Sequence, residues 1–437
     1  MGGFKVLFKN ITVIDENYEA RLNYYLAVRG NTIEYIGPER PFGDWGEEYD
    51  GSRKAAMPGY FNIHCHVPMT LLRGFGEGLP LDRWLKERVF PFEALLTGEE
   101  MYWGAMLGIA EMLKSGAVSF TDMYMELPDL CRAVEESGIK ANLSNGTTGF
   151  SPDDRFKDGK AYRELKYMME YTAAQAHDRI IADASLHAEY TSHELLVRDV
   201  AEFAKENGLR LHLHLSETKN EHEECKLRRS GMTPAQWFRH CGVLDVPVTA
   251  AHCVWVENED MEIMAEHGVT AAHCPTSNLK LGSGIAQVQA MLQKGIHVGI
   301  GTDGASSNNN LNVHEEVNLA SLLQKGILRD PSAMNPQETL RAACLNGALS
   351  QGRKDCGCLK AGNRADIVVY DMDKPHLQPA FDVLSNILFS AQSDDIVLNM
   401  VDGKALYRDG ELTTIDLEQV KYHVNHIARQ RGSQLGV

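Results

Sequence analysis

Residues 57–70 read MPGYFNIHCHVPMT, a short apolar run that closes on two histidines separated by one residue. An open parallel sheet built for a dinucleotide carries a glycine-rich phosphate turn after its first strand, and FNIHCHVPMT is not such a turn. Seven further runs of the same texture follow: AVSFTDMY (117–124), IKANLSN (139–145), IIADASLH (180–187), LRLHLHLSE (209–217), VTAAHCV (248–254), VTAAHCPTS (269–277) and HVGIGTDG (297–304). Each is succeeded by a segment long enough for a helix, such as EEMYWGAMLGIAEMLKS or HELLVRDVAEFAKENG. Strands alternating with helices imply a parallel sheet, and eight such units match a (β/α)8 TIM-type barrel; a doubly wound open sheet is the competing arrangement. The methionines and aromatics of MYWGAMLGIAEML follow helical spacing and read as core.

Outside this rhythm the two ends of the chain share another texture. VLFKNITVI, YYLAVRG and TIEYIG read as strands, with turn chemistry at Asp15-Glu16-Asn17 and Gly30-Asn31. ADIVVYD (365–371) and IVLNMVDGKALYRDG (396–410) repeat it before a charged terminal helix. The expectation is an α/β protein with a metal-dependent catalytic barrel over residues 57–361. Residues 1–56 and 362–437 would together make a small composite domain, a β-sandwich with a C-terminal helix.

The chain has 437 residues, of which 43% are hydrophobic and 24% charged, the balance of a globular protein. Its 43 Lys and Arg against 60 Asp and Glu give a net charge of −17. That argues against a nucleic-acid polymer as partner, since such affinity comes from cationic side chains displacing counterions; a small nucleoside stays open. No run approaches the roughly 20 apolar residues of a membrane span. The opening MGGFKVLFKNITVIDENYEA has no apolar stretch followed by a small-residue cleavage site, so the expected location is the cytoplasm. The nine cysteines are an odd number scattered along the chain and read as reduced thiols. A homo-oligomer is only the common default.

In a barrel, catalytic groups gather where the strands end, and polar residues costly to bury fall at those ends here. The first run ends in His64-Cys65-His66, whose histidines share one face of a strand. His187 closes the fourth run, His214 the fifth with Glu217 just beyond, His252 the sixth, and Asp303 the eighth. Imidazoles and a carboxylate converging at a barrel mouth suit a divalent first-row metal, with His64, His66, His214 and Asp303 as ligands. One ion is expected, zinc first, with iron or manganese as alternatives. Such an ion lowers the pKa of water from 15.7 to about 7. Glu217 is placed to carry protons, and His252 to hydrogen-bond the attacking water or a developing oxyanion. Plainer readings stand beside these. His212 shares the face of His214, so either could be the ligand, but position near the strand end and the spacing to Glu217 favour His214 and leave His212 as interior packing. His273 ends the seventh run and could also face the site, but His273-Cys274-Pro275 reads first as a loop-shaping turn. Asp303 within GTDGASSNNN could cap a turn, and Cys356-Gly357-Cys358 is a single pair of thiols in a loop.

These stretches carry a resemblance. PGYFNIHCHVPMTLLRGFGEGLPLDRWL, HLHLSET, AAHCVW, HCPTSNLKLGSGIAQV, GTDGASSNNNLNVHEE and the late GNRADIVVYD resemble the amidohydrolase superfamily over nearly the whole chain. Within it they resemble the branch of 5′-methylthioadenosine/S-adenosylhomocysteine deaminases and related heterocycle deaminases. The motifs are specific for the mononuclear deaminase type and less so for substrate, since guanine deaminases and triazine hydrolases carry similar ones. The resemblance implies a hydrolytic deaminase of adenosine-type nucleosides with the ligand set above. Glu217 would move protons to the ring nitrogen, and His252 with Asp303 would orient the attacking water. Glu93 would hold ribose hydroxyls, Trp84 would pack on the substrate and His187 would lie near it; read alone, Glu93 is equally a helix-start carboxylate and Trp84 core. No lysine ends the fourth run, which disfavours a two-metal site. Where that branch has an arginine after its third strand, this chain has Asn145, leaving only Arg155 in the next loop for a homocysteine carboxylate. Methylthioadenosine, 5′-deoxyadenosine and adenosine are therefore favoured over S-adenosylhomocysteine. The alternatives are deamination or dechlorination of a guanine, pterin, triazine or cytosine type of ring and, more distantly, a non-catalytic scaffold.

Overall fold

A computed structural model describes residues 4–436. Residues 1–3 and 437, the outermost positions of the expected composite domain, lie outside the described residues.

Five strands begin the chain: β1 (Lys5–Ile14), β2 (Ala20–Arg29), β3 (Thr32–Gly37), β4 (Glu47–Asp50) and β5 (Lys54–Pro58). The barrel strands follow: β6 (Tyr60–Cys65), β7 (Ala117–Met123), β8 (Lys140–Ser144), β9 (Ile180–Ala182), β10 (Ala184–Ser185), β11 (Leu211–Leu215), β12 (Val248–His252), β13 (Thr270–His273) and β14 (His297–Ile300). The chain ends with β15 (Ile367–Asp371), β16 (Ile396–Val401), β17 (Lys404–Arg408), β18 (Glu411–Leu412) and a helix over Leu417–Gln434.

All eight apolar runs form parallel strands. The fourth is interrupted: β9 pairs with β8, then the chain turns at Asp183 and β10 pairs with β11. Asp183 N donates to Leu143 O at 3.1 Å and Ala184 N to Arg210 O at 2.9 Å, so the backbone changes neighbours between consecutive residues. The barrel thus divides into a four-stranded and a five-stranded ladder. Its closure, β14 against β6, is made mostly by side chains. The Asn62 amide donates to Thr302 Oγ1 at 2.8 Å and accepts from Thr302 N at 3.1 Å, and Asp303 N donates to His64 O at 3.0 Å. Glycine is required at this seam: a Cβ on Gly299 would lie 2.4 Å from Ile63, and one on Gly301 would lie 2.9 Å from His64 O.

The intervening helices start and stop where local chemistry directs. Thr97 and Glu100 form a capping box at the head of the helix Gly98–Lys114. His193 caps Glu194–Asn207, which ends on Gly208 in the left-handed region at φ 64°.

Strands from the two ends of the chain share one nine-stranded sheet, ordered β18-β17-β16-β15-β5-β1-β2-β3 with β4 also on β1. β15 runs antiparallel to β5, Val369 opposite Ala56, and so stitches the late segment to the early one. Val6 and Phe8, then Ile11 and Val13, face one apolar cluster; the change of parity is absorbed by an irregularity in register where Asn10 takes φ 57°. That cluster also holds Leu26, Val28, Ile367, Val369, Leu398 and Met400 and is buried without a helical residue among its members, so the sheet covers its own apolar face as a sandwich does. It is tied to the barrel by buried polar groups. Lys140 on β8 bonds Asp366 at 2.5 and 2.7 Å and Asp402 at 3.0 Å, and the Tyr60 and Tyr370 hydroxyls meet at 2.9 Å beside His314. Among the described residues, no helix is long and apolar enough to cross a membrane.

Candidate active site

The C-terminal ends of the barrel strands bring His64, His66, His214, His252 and Asp303 together. His64 and His66 share one face of β6 and its extension; Cys65 points away and donates to Thr121 O at 3.2 Å. His252 and Asp303 take left-handed φ values of 71° and 59°, conformations that cost a non-glycine residue energy and concentrate at functional sites.

The hydrogen bonds of this cluster fix its protonation. His66 Nδ1 donates to Met123 O at 2.7 Å and His214 Nδ1 to His187 O at 2.6 Å. A carbonyl only accepts, so both protons sit on Nδ1 and both Nε2 atoms present lone pairs in the neutral rings. Those Nε2 atoms are 3.3 Å apart. Asp303 Oδ1 lies 3.3 Å from His66 Nε2 and 3.5 Å from His64 Nε2, and the latter has no hydrogen-bond partner. Burial pushes the rings toward neutrality: His64 falls to about 3, and His66 and His214 also shift down. Burial would raise the Asp303 carboxyl, yet His64, His66 and His252 hold it well below the usual range. Two lone pairs facing each other beside a carboxylate in a buried space are arranged as the donors of a cation site are. The donor set, nitrogen with one hard oxygen, fits a first-row divalent ion. His64, His66 and His214, and separately His64, His252 and Asp303, have donor atoms within 4.8 Å of one another.

The candidate ligands are held in turn by other side chains. His64 Nδ1 meets His212 Nε2 at 2.9 Å. The reading of His212 as packing alone therefore omits a contact: it orients His64. The alternation in HLHL, which puts His212 and His214 on one face, was the available signal. Asp303 Oδ2 accepts from Ser277 Oγ at 2.6 Å and Ser307 Oγ at 2.8 Å, and Oδ1 from Gly304 N at 2.8 Å. His252 Nδ1 meets Asn278 Oδ1 at 2.9 Å, and its Nε2 lies 3.8 Å from Glu217 Oε2. The sequence offered no cue to Ser277, Ser307 or Asn278, which lie 25 or more residues from the groups they serve or in loops.

Glu217 is buried, with Ser283 Oγ 3.4 Å from Oε1. Burial raises its carboxyl above the ordinary value, while His252 pulls it back. A carboxyl at this place, 3.8 Å from His252 Nε2 and at the edge of the imidazole cluster, can take and give a proton.

A cavity of about 680 Å³ opens onto this cluster, within the roughly 300–1,000 Å³ range of small-molecule sites. Trp84, Glu93 and His187 all line it, together with Asn145, Phe150 and Arg155. Burial pushes Glu93 up to about 7, with the nearby Tyr124 hydroxyl pulling it down. His187 Nδ1 lies 3.2 Å from Thr191 Oγ1, and burial lowers the ring to about 4. Asn145 does not reach freely into the space: its amide donates to Glu164 Oε2 at 2.7 Å. Glu164 also accepts from the Glu126 and Leu127 amides at 3.3 and 3.4 Å. Arg155 bonds only the Pro152 and Asp154 carbonyls, at 3.4 and 3.3 Å. His273 is buried with neither ring nitrogen bonded and stands in none of the ligand groups; Cys356 and Cys358 are free thiols outside them as well.

The amidohydrolase family matches residues 55–406, a span that includes every group just described. The chain belongs to the amidohydrolase family. Two relatives resemble it along most of their length. The 5-methylthioadenosine/S-adenosylhomocysteine deaminase of Dictyoglomus thermophilum is 40% identical over 413 residues, covering 94% of this chain and 95% of that one. The 5′-deoxyadenosine deaminase of Methanothermobacter thermautotrophicus is 41% identical over 395 residues, covering 90% and 92%. Among solved structures, an adenosine deaminase from Xanthomonas campestris with bound zinc superimposes with a TM-score of 0.91 at 27% identity, covering 98% of both chains. As an amidohydrolase the chain is a metal-dependent hydrolase acting on C–N bonds.

Proposed function

We propose that this amidohydrolase deaminates adenosine-type nucleosides, releasing ammonia and the inosine-type product. The observation that carries the reading is the buried lone-pair cluster of His64, His66, His214 and Asp303 at the floor of a nucleoside-sized cavity, with Glu217 and His252 beside it. The deaminases of methylthioadenosine, S-adenosylhomocysteine and 5′-deoxyadenosine that resemble the chain support it.

In this reading the four residues hold one ion, zinc by its presence in the similar adenosine deaminase. A divalent metal there supplies a Lewis acid and a water of lowered pKa. His252 and Asp303 orient the attacking water toward C6. Glu217 takes a proton from that water and delivers it to the ring nitrogen beside C6, which becomes tetrahedral; the next proton goes to the amino group, and ammonia leaves. Glu93 binds ribose hydroxyls, Trp84 packs on the substrate and His187 lies against the purine. Residues 57–361 are the catalytic unit in this reading, with 1–56 and 362–437 as its composite partner.

The distal end of the cavity favours an uncharged 5′ substituent. Asn145 is committed to a buried carboxylate, Glu164, and Lys160 is neutralised by Glu126 and Glu164. Only Arg155 is left to attract a carboxylate. Methylthioadenosine, 5′-deoxyadenosine and adenosine are therefore better substrates than S-adenosylhomocysteine. The test is ammonia release from these nucleosides and from guanine, cytosine, pterins and triazines, with and without a chelator. Turnover confined to the adenosines, lost on chelation and restored by zinc, is expected; no turnover of any adenosine refutes the reading. Glu217→Gln should lower kcat by at least about 100-fold, and wild-type rates in that variant would remove Glu217 from the proton path.

A further inference from the structure

His214 and Glu217 are three residues apart, yet the proposed mechanism asks them to face one reacting centre from a strand end and a loop. The backbone between them is unusual. Ser216 takes φ 48°, a left-handed conformation without a glycine, and the chain then enters the helix Lys219–Arg228. Such a bend needs something that over-determines it.

Glu221 lies in the first turn of that helix, is buried, and accepts from three successive backbone amides. Its Oε1 accepts from Ser216 N at 3.1 Å, and its Oε2 from Glu217 N at 2.7 Å and Thr218 N at 3.3 Å. Only the last belongs to the capping box in which Thr218 Oγ1 accepts from Glu221 N at 3.1 Å. The other two lie upstream of the cap, on the strained residue and on Glu217 itself. The neighbouring His222 adds Nδ1 to Ser216 Oγ at 3.0 Å, and Trp255 N donates to Ser216 O at 2.9 Å. A carboxylate with three amide donors is a strong set of charge-assisted bonds. It costs the burial of a second acid close to Glu217, which an ordinary capping Glu at a helix surface does not incur.

We propose that Glu221 is a positioning residue for Glu217, holding its backbone so that the Glu217 carboxyl faces the reacting centre. The inference rests on the proposed role of Glu217 as proton carrier. A misplacement of about 1 Å at a reacting group can cost on the order of 100-fold in rate. Glutamine at 221 keeps the shape but turns an NH2 toward a backbone amide, so it cannot restore the grip.

The experiment uses the full metal-loaded chain with Glu221→Gln, Glu221→Ala, Thr218→Ala, Glu217→Gln and the double variant Glu217→Gln/Glu221→Gln, read as kcat, KM, metal content and Tm on methylthioadenosine. Expected are a loss of kcat of about 10- to 100-fold in both Glu221 variants, with KM and metal content within about twofold. Thr218→Ala, which removes the other half of the cap, should keep kcat near wild type. In the double variant the Glu221 change should add no further loss, because it acts through a carboxyl already removed. Glu221→Gln with wild-type kcat, equal losses in Thr218→Ala and Glu221→Ala, or additive losses in the double variant would each overturn the proposal. Should Glu221→Ala fail to fold, the isosteric Glu221→Gln still decides it. If Glu217→Gln alone is harmless, the proton-carrier reading fails and the positioning proposal falls with it, whereas a damaging Glu217→Gln beside a harmless Glu221→Gln overturns the positioning alone.

Discussion

His212 supplies the sharpest quantitative expectation. Its Nε2 stands 2.9 Å from His64 Nδ1, and the opposite nitrogen of His64 is the unpartnered atom aimed at the Asp303 carboxylate. When His64 binds a cation through Nε2, its proton sits on Nδ1 and His212 accepts it. His212→Phe keeps a flat ring of similar size and deletes the acceptor, leaving a buried N–H unpaired. That state costs about 1–3 kcal/mol, and a decade of affinity is about 1.4 kcal/mol, so metal should bind roughly 5- to 150-fold more weakly. Losses of about 10- to 100-fold are usual when a partner behind a metal ligand is removed. His212→Gln, which can return a carbonyl oxygen to the same place, should recover most of the affinity. The assay is competition with a chelator of known affinity, with Tm followed on the apo protein to separate folding from binding. A His212→Phe affinity within about threefold of wild type would refute the reasoning.

Two further expectations concern other buried charged groups. Glu93 keeps its proton in the folded protein up to about 7, against an ordinary value of 4.5. Its contribution to stability is therefore fully present below 4.5 and is lost as pH rises toward 7, a window of about two and a half units at about 1.4 kcal/mol each. Glu93→Gln, neutral at every pH, should gain on wild type by up to about 3.5 kcal/mol between pH 4.5 and 8 in unfolding experiments while raising KM for nucleosides; parallel pH curves for the two proteins would refute the first point. Lys140 neutralises Asp366 and Asp402 where barrel and small sheet meet. Lys140→Met should cost about 3–5 kcal/mol by leaving the buried Asp366 carboxylate without its cation, measured by urea unfolding, and Asp366→Asn in that background should return part of it; a loss under about 1 kcal/mol would contradict the burial argument.

The parts of the fold legible in the sequence were those in which local pattern and chain order point the same way. Eight apolar runs, each followed by a helix-length segment, leave few arrangements, and strand alternation alone sends Cys65 away from His64 and His66. The break at Asp183 was not legible, because IIADASLH reads as one uninterrupted run and the change of partner depends on where β11 lies. The same limit applies to the site. His64, His66, His214 and Asp303 stand out as costly residues at strand ends, whereas Ser277, Ser307 and Asn278 are ordinary loop and helix residues until the fold sets them behind a ligand. Asn145 was legible as a substitution against the resembling branch, but its engagement with Glu164 needed the approach of a separate helix, Lys160–Ala174.

The side-chain seam between β14 and β6 would give a bound ion a second task. His64 and His66 extend from the first barrel strand and Asp303 from the loop after the last, so the proposed ligands straddle the joint between β14 and β6, which has no regular ladder. Bringing those strands together closes a loop of more than two hundred residues, among the costliest contacts in the chain entropically. A cation bound by those residues would rivet the first and last staves of the barrel. Its departure would loosen the cylinder at the joint where the chemistry occurs.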